Sequence, residues 1–242
     1  KSLVSAKRSV RHLKRFFEGY RVPQITSSKI QEYIEHRINQ GAANATINRE
    51  LAALKRMLNL GARQTPPKVN RVPYFSLLEE HNVKKGFFEH GSFMALKNTL
   101  PSYLKGFVTF AYKTGWRVSE ITDLTWSHVD LDNGIVRLEP GETKNGEGRT
   151  VYLDDELKEV FNLQWKNRKN LLPFVFLNSQ FSGQIKGFEK AWNTACRKVK
   201  LGYGYKIDKG YVEKWKDKFP SGPTVHDFRR TACRNMIRAG IP

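Results

Sequence analysis

Apolar side chains recur along this chain at two spacings, near 3.6 residues and near 2, and the change from one to the other divides it. From Lys1 to Gly61 the spacing is helical throughout. Leu3, Val10, Leu13, Phe16 and Phe17 stand among Lys7, Arg8, Arg11, Lys14 and Arg15, which predicts a basic amphipathic helix ending near Gly19. Ser28 with Gln31 predicts a capped second helix with Ile30, Tyr33, Ile34 and Ile38 inward, closed by Gly41. Asn44 opens a third, with Ile47, Leu51, Leu54 and Leu58 on one face and Arg49, Arg56 and Arg63 offered elsewhere. Helices this short are marginal alone, so the pattern predicts a small bundle; a membrane surface is the competing use of basic amphipathic helices. The three prolines between Thr65 and Pro73 predict an extended tether over 65–73, separating a helical domain at 1–64 from a second domain at 74–242.

The second domain opens with helical runs at Phe87 to His90 and Phe93 to Leu96. A strongly periodic helix follows with Tyr103, Phe107, Phe110 and Ala111, stopping near Gly115, and then a stripe of Val118, Ile121 and Leu124. Alternation takes over at Ile135 to Leu138 and Thr150 to Leu153, two strands whose connection, Gly141 to Gly148, places Lys144 near a hairpin tip. A capped helix is expected over Asp154 to Lys169 with Leu157, Val160, Phe161 and Trp165. Phe174 to Leu177 reads as a buried strand, and Gly187 to Val199 as a helix with Phe188, Trp192 and Cys196 inward. Leu201 to Gly222, with five aromatic residues among lysines, reads as an irregular insertion that either approaches a nucleic-acid backbone or covers the core. The last helix is expected to start at a Thr224 cap, with Phe228, Cys233 and Ile237 inward and Gly240 closing it.

Charge sharpens this picture. Among 242 residues there are 42 Lys and Arg against 23 Asp and Glu, a formal charge of +19. The excess is concentrated in residues 1–72, with 15 basic and 4 acidic side chains. A polyanion partner is the physical reading, with a merely soluble basic protein as the bland one. Lys68 and Arg71 keep the tether basic, so two basic domains could close around a duplex from opposite sides. Cys196 and Cys233 have no metal-ligand spacing, which fits unpaired core thiols in a reducing cytosol.

Four cations then fall into a chemical pattern. His226 and Arg229, three apart, share one side of a helix start, where backbone N–H groups and the helix dipole favour an anion. Cleaving a phosphodiester builds negative charge on the nonbridging oxygens, and two guanidiniums such as Arg117 and Arg229 can clamp them through rigid forks. Lys144 can protonate an apical leaving oxygen. Histidine can donate a hydrogen bond to the phosphate or help take the proton from the nucleophile. Taken singly, an arginine like Arg117 is an ordinary surface residue.

Thr114 to Ile121, Thr143-Lys144-Asn145 and His226 to Thr231 resemble, in order, the three signatures of the tyrosine recombinase, or phage integrase, family, at separations of 27 and 82 residues from Arg117 to Lys144 to His226. The likeness covers nearly the whole chain. It implies two domains: an N-terminal all-α, SAM-like core-binding bundle, and a mixed, mainly helical catalytic domain with a small antiparallel β-sheet. It also implies site-specific recombination, in which a tyrosine cleaves one strand of double-stranded DNA to leave a 3′-phosphotyrosyl link without ATP or a metal cofactor. By similarity Arg117 and Arg229 hold the scissile phosphate, Lys144 is the general acid and His226 assists proton transfer. Glu120 orients the cluster and Asp227 supports the helix start. DNA-backbone duty is expected of Lys7, Arg11, Arg49, Arg56, Arg63, Lys68, Arg71 and Arg230. The intact protein is expected to work as a homo-oligomer, a tetramer on DNA, in a bacterial or phage-derived setting.

The carboxyl end departs from the family pattern. No residue after Gly240 matches the family's next signature or its nucleophilic tyrosine, and Tyr203, Tyr205 and Tyr211 precede the His226 signature. The 242 residues are therefore expected to bind DNA without cleaving it, as part of a longer recombinase. A non-catalytic DNA-binding regulator and a type IB topoisomerase remain as alternatives.

Overall fold

A computed structural model describes residues 2–81, 86–143, 146–169, 171–207, 210–215 and 222–240, with residues 2, 202–207 and 210–215 described by their backbone alone. The chain forms two compact units, Lys1–Val83 and Lys84–Pro242. Among the described residues, no helix is long and apolar enough to cross a membrane.

The first unit holds α1 (Ser2–Phe16), α2 (Ser27–Asn39) and α3 (Asn44–Ala62). Leu13, Ile30, Tyr33, Ile34, Ile47, Leu51, Leu54 and Leu58 meet in its core, as the periodicity predicts, whereas Leu3 and Ile38 are exposed. α2 is capped by Thr26, whose hydroxyl accepts from the Lys29 N–H at 3.3 Å, rather than by Ser28. One ion pair is buried within this core. Arg37 grips both oxygens of Glu50 at 2.9 and 3.0 Å, and the Tyr33 hydroxyl donates to the same carboxylate at 2.6 Å, tying α2 to α3. Burial and that hydrogen bond push the Tyr33 phenol well above its usual range.

The expected tether differs. The prolines do break the helix, but Val69 is buried in the first core and Val72, Phe75 and Leu78 pack against it, so this segment is a strap on the bundle. Polar bonds hold it too. Ser27 Oγ donates to the Tyr74 carbonyl, and the Asn48 amide pairs with the Leu78 backbone in both directions, each bond at 2.8 Å. The boundary between units accordingly falls later than 74.

The second unit is built on α5 (Ser102–Thr114). Its Leu104, Phe107, Val108, Phe110 and Ala111 join Phe161 of α7 (Asp155–Lys166), Trp192 of α8 (Glu189–Lys198) and Phe228 of α9 (Asp227–Arg238) in one core. α4 (His90–Thr99) and α6 (Val118–Thr122) flank it. The sheet is antiparallel in the order β1 (Val129–Asp130), β2 (Ile135–Leu138), β3 (Arg149–Tyr152), with Leu138 opposite Arg149.

Three expectations are corrected. Val175 to Leu177 are buried, but among the described residues the stretch from Phe174 forms isolated bridges, Thr125 with Phe174 and Leu177 with Gln184, and no full strand continues the ladder. Within the expected irregular insertion, Gly202–Ile207 (β4) and Gly210–Trp215 (β5) pair as an antiparallel ribbon. α9 begins at Asp227 with His226 as its N-cap, and its buried side is Phe228, Thr231 and Ala232, which leaves Cys233 and Ile237 exposed. Phe228, Thr231 and Ala232 keep the i, i+3, i+4 spacing of one helix face, and Cys233 and Ile237 fall on the far side from Phe228.

Candidate active site

The site grows from the end of α5. Gly115 terminates that helix in the left-handed conformation, φ 64°, which an L side chain adopts only with strain. α9 also passes close by here. A Cβ on Gly115 would lie 3.0 Å from the Ala232 Cβ and 3.2 Å from the Arg229 Cα. Into this turn Arg229 sends its guanidinium, donating from Nη1 to the Gly115 carbonyl at 3.0 Å.

Two residues further on, Arg117 caps α6. Glu120, in the first turn, accepts from the Arg117 backbone N–H at 2.9 Å with Oε2 and from the Arg117 Nη1 at 2.6 Å with Oε1. Arg149, on β3, donates from Nη1 to Oε2 at 3.0 Å and holds its guanidinium 6.0 Å from the Trp116 ring centroid. Burial works against a charge on Glu120, but the hydrogen bonds from Arg117 and the nearby Arg149 outweigh it and hold the carboxyl below its usual range. Two arginines, Arg117 and Arg149, thus share the buried Glu120 carboxylate, and Arg229 is bonded to the carbonyl two residues before Arg117. A cleft of about 310 Å³ opens beside Arg117 and Glu120, lined also by Ser119, Asp123, His128, Leu138 and Glu142.

The remaining expected residues divide. His226 is exposed and lines a recess of about 450 Å³ with Val118, the neighbour of Arg117. Asp227 is buried and accepts from both the backbone N–H and the hydroxyl of Thr224 at 2.8 Å, so it ties down the turn before α9. Lys144 lies outside the described residues. The loop leading to it is anchored by Glu142. Its Oε2 accepts from the Glu139 N–H at 2.7 Å, while its Oε1 takes the Nε2–H of His128, whose Nδ1 accepts from the Thr125 N–H. That bond from His128 holds the Glu142 carboxyl below its usual range. Lys7, Arg11, Arg49, Arg56, Arg63, Lys68 and Arg71 all stand exposed on the first unit. Arg230 does not. It is half-buried with its guanidinium over Phe87 at 5.0 Å, where its attraction to the ring competes with any backbone contact.

Arg149 is the residue that sequence reasoning passed over. Its signal was alternation: it stands two before Val151 on β3, and both are half-buried where Thr150 and Tyr152 are exposed. Among the described residues, no group of three or more His, Cys, Asp and Glu side chains could hold a metal ion.

Two family models match the chain: the phage integrase family over residues 88–242, and the phage integrase N-terminal SAM-like domain over residues 1–64. The chain belongs to the phage integrase family. This is the tyrosine recombinase family. Relatives include the transposase of transposon Tn916 from Enterococcus faecalis, 25% identical over 91% of this chain and 58% of that protein. The integrase of Salmonella phage P22 is 24% identical over 83% and 49%. The chain spans less than two thirds of the length of these relatives. Its fold matches the Tn1549 transposon integrase in complex with transposon right end DNA, with a TM-score of 0.78 and 18% identity over 100% of this chain and 82% of that one. It also matches a lambda integrase dimer bound to a core site, with a TM-score of 0.76 and 13% identity over 99% and 83%.

Proposed function

We propose that this chain is the DNA-binding and phosphate-activating part of a site-specific recombinase. A 3′-phosphotyrosyl link forms when a tyrosine attacks the scissile phosphate, and a free 5′-hydroxyl leaves. The observation that carries this reading is the bond from Arg229 Nη1 to the Gly115 carbonyl, which brings α9 to the turn two residues before Arg117. Two forks fixed there suit the developing charge of a phosphoryl transition state and need little reorganisation when the reaction occurs.

In this reading Arg117 and Arg229 hold the nonbridging oxygens, Lys144 protonates the 5′ oxygen and His226 serves the nucleophile. The exposed cations of the first unit grip the duplex backbone. Neighbours solved as a dimer on a core site and as a tetramer on a Holliday junction support a homo-oligomer on DNA. In the family order the nucleophilic tyrosine follows the His226 signature, which Tyr203, Tyr205 and Tyr211 precede.

A nicked suicide duplex tests the assignment. The complete recombinase should trap a covalent adduct, and Arg117→Ala or Arg229→Ala should lower the cleavage rate by about 10²-fold or more with duplex affinity largely kept. Wild-type levels of adduct in both variants would reject the clamp. Relaxation of supercoils with no preferred site would favour a topoisomerase instead.

A further inference from the structure

Glu120 is buried, and a desolvated carboxylate needs its lone pairs filled. It receives three described donors: two from Arg117, through its backbone and Nη1, and one from Arg149. The Arg149 side chain comes from a different element, at the loop end of β3 opposite Leu138, and lies by the ring of Trp116. It is therefore held by a ring and a carboxylate at once.

We propose that Arg149 is a positioning residue for the phosphate clamp, acting on Arg117 through Glu120; the proposal rests on the recombinase reading above. The physical argument is competition for one carboxylate. A carboxylate facing a lone guanidinium prefers the two-bond, fork-to-fork pairing. With Arg149 on Oε2, Glu120 engages the Arg117 side chain through Oε1. Without Arg149, Oε2 keeps only the backbone N–H and is drawn to the Arg117 fork, turning it from the phosphate. Charge points the same way. Arg117, Glu120 and Arg149 together carry +1, and without Arg149 they carry none, in a place where a phosphate dianion-like transition state must be met.

The test is single-turnover cleavage of a nicked suicide duplex at saturating protein by the complete recombinase, with duplex affinity measured alongside. Arg149→Ala should slow cleavage by about ten- to a hundredfold, the range for a reacting group left misplaced, and change the dissociation constant less than threefold. Arg149→Lys, which keeps a donor for Oε2, should recover most of the rate. In a Glu120→Gln background, Arg149→Ala should add no more than about a twofold loss, since the group it acts through has changed. A wild-type rate for Arg149→Ala, no recovery with lysine, or losses that multiply in the double variant would each overturn the proposal. Should the alanine variant fail to fold, the lysine variant decides: a loss as large as that of Glu120→Gln ends it. A wild-type protein that traps no adduct removes the recombinase reading and this role together. A wild type that does, with an Arg149→Ala variant equal to it, removes this role alone.

Discussion

Glu120 concentrates the electrostatics of the site in a single side chain. Burial works against its charge, and the two arginines outweigh that. Because its folded-state value lies below the usual carboxylate range, the ionised form is favoured by folding. Its contribution to stability is therefore present above the ordinary carboxylate range and is lost as pH falls through the lowered value. Glu120→Gln should be less stable than the wild type at pH 7, and the difference between their urea midpoints should shrink toward pH 3. A difference that stays constant or grows on acidification would contradict the ionised pairing. At this scale the sequence was a partial guide. Arg117, Glu120 and Arg229 were legible because their signatures are local in sequence. Arg149 was not, because its importance comes from a bond across 29 residues to a carboxylate on another element.

The turn between α5 and α6 decides how the helices bring their arginines together. Gly115 serves there twice, through its positive φ and through the closeness of α9. Gly115→Ala should destabilise the second unit by about 1–3 kcal/mol from backbone strain alone, and push α9 so that cleavage falls with it. An unchanged urea midpoint would reject both halves of that account. The helix-forming stripes of α2, α3 and α5 could be read in advance since each buries one continuous face. What could not be read was how the shorter elements settle. The stretch from Phe174 to Leu177 has the composition of a strand, but strand identity depends on a partner elsewhere in the chain. The α9 start depended on Asp227 capturing Thr224, the reverse of the capping direction that the Thr224 pattern suggests. The 201–222 segment hid a ribbon because its glycines and lysines mask the period-2 signal.

Over the whole molecule, the charge excess is the property most directly tied to a polyanion partner. The cations of the first unit are exposed, so each one that meets a phosphate should displace about one counterion. Replacing Arg49, Arg56 and Arg63 together by Ala should weaken duplex binding and flatten the log–log salt dependence by about 0.9 per lost contact. An identical slope would place the duplex elsewhere. Composition alone motivates this expectation, and the charge excess falls on the helical module. The proline-rich segment was the misleading part. Its prolines report that helix ends, and say nothing of whether the chain that follows is idle. Asn48 grasps the Leu78 peptide as a neighbouring strand would, and Val69 fills a gap left by the helices. Anyone excising the amino-terminal module at residue 64 would discard its lid and leave an oily seam open to water; scissors placed after residue 81 would carry the lid along.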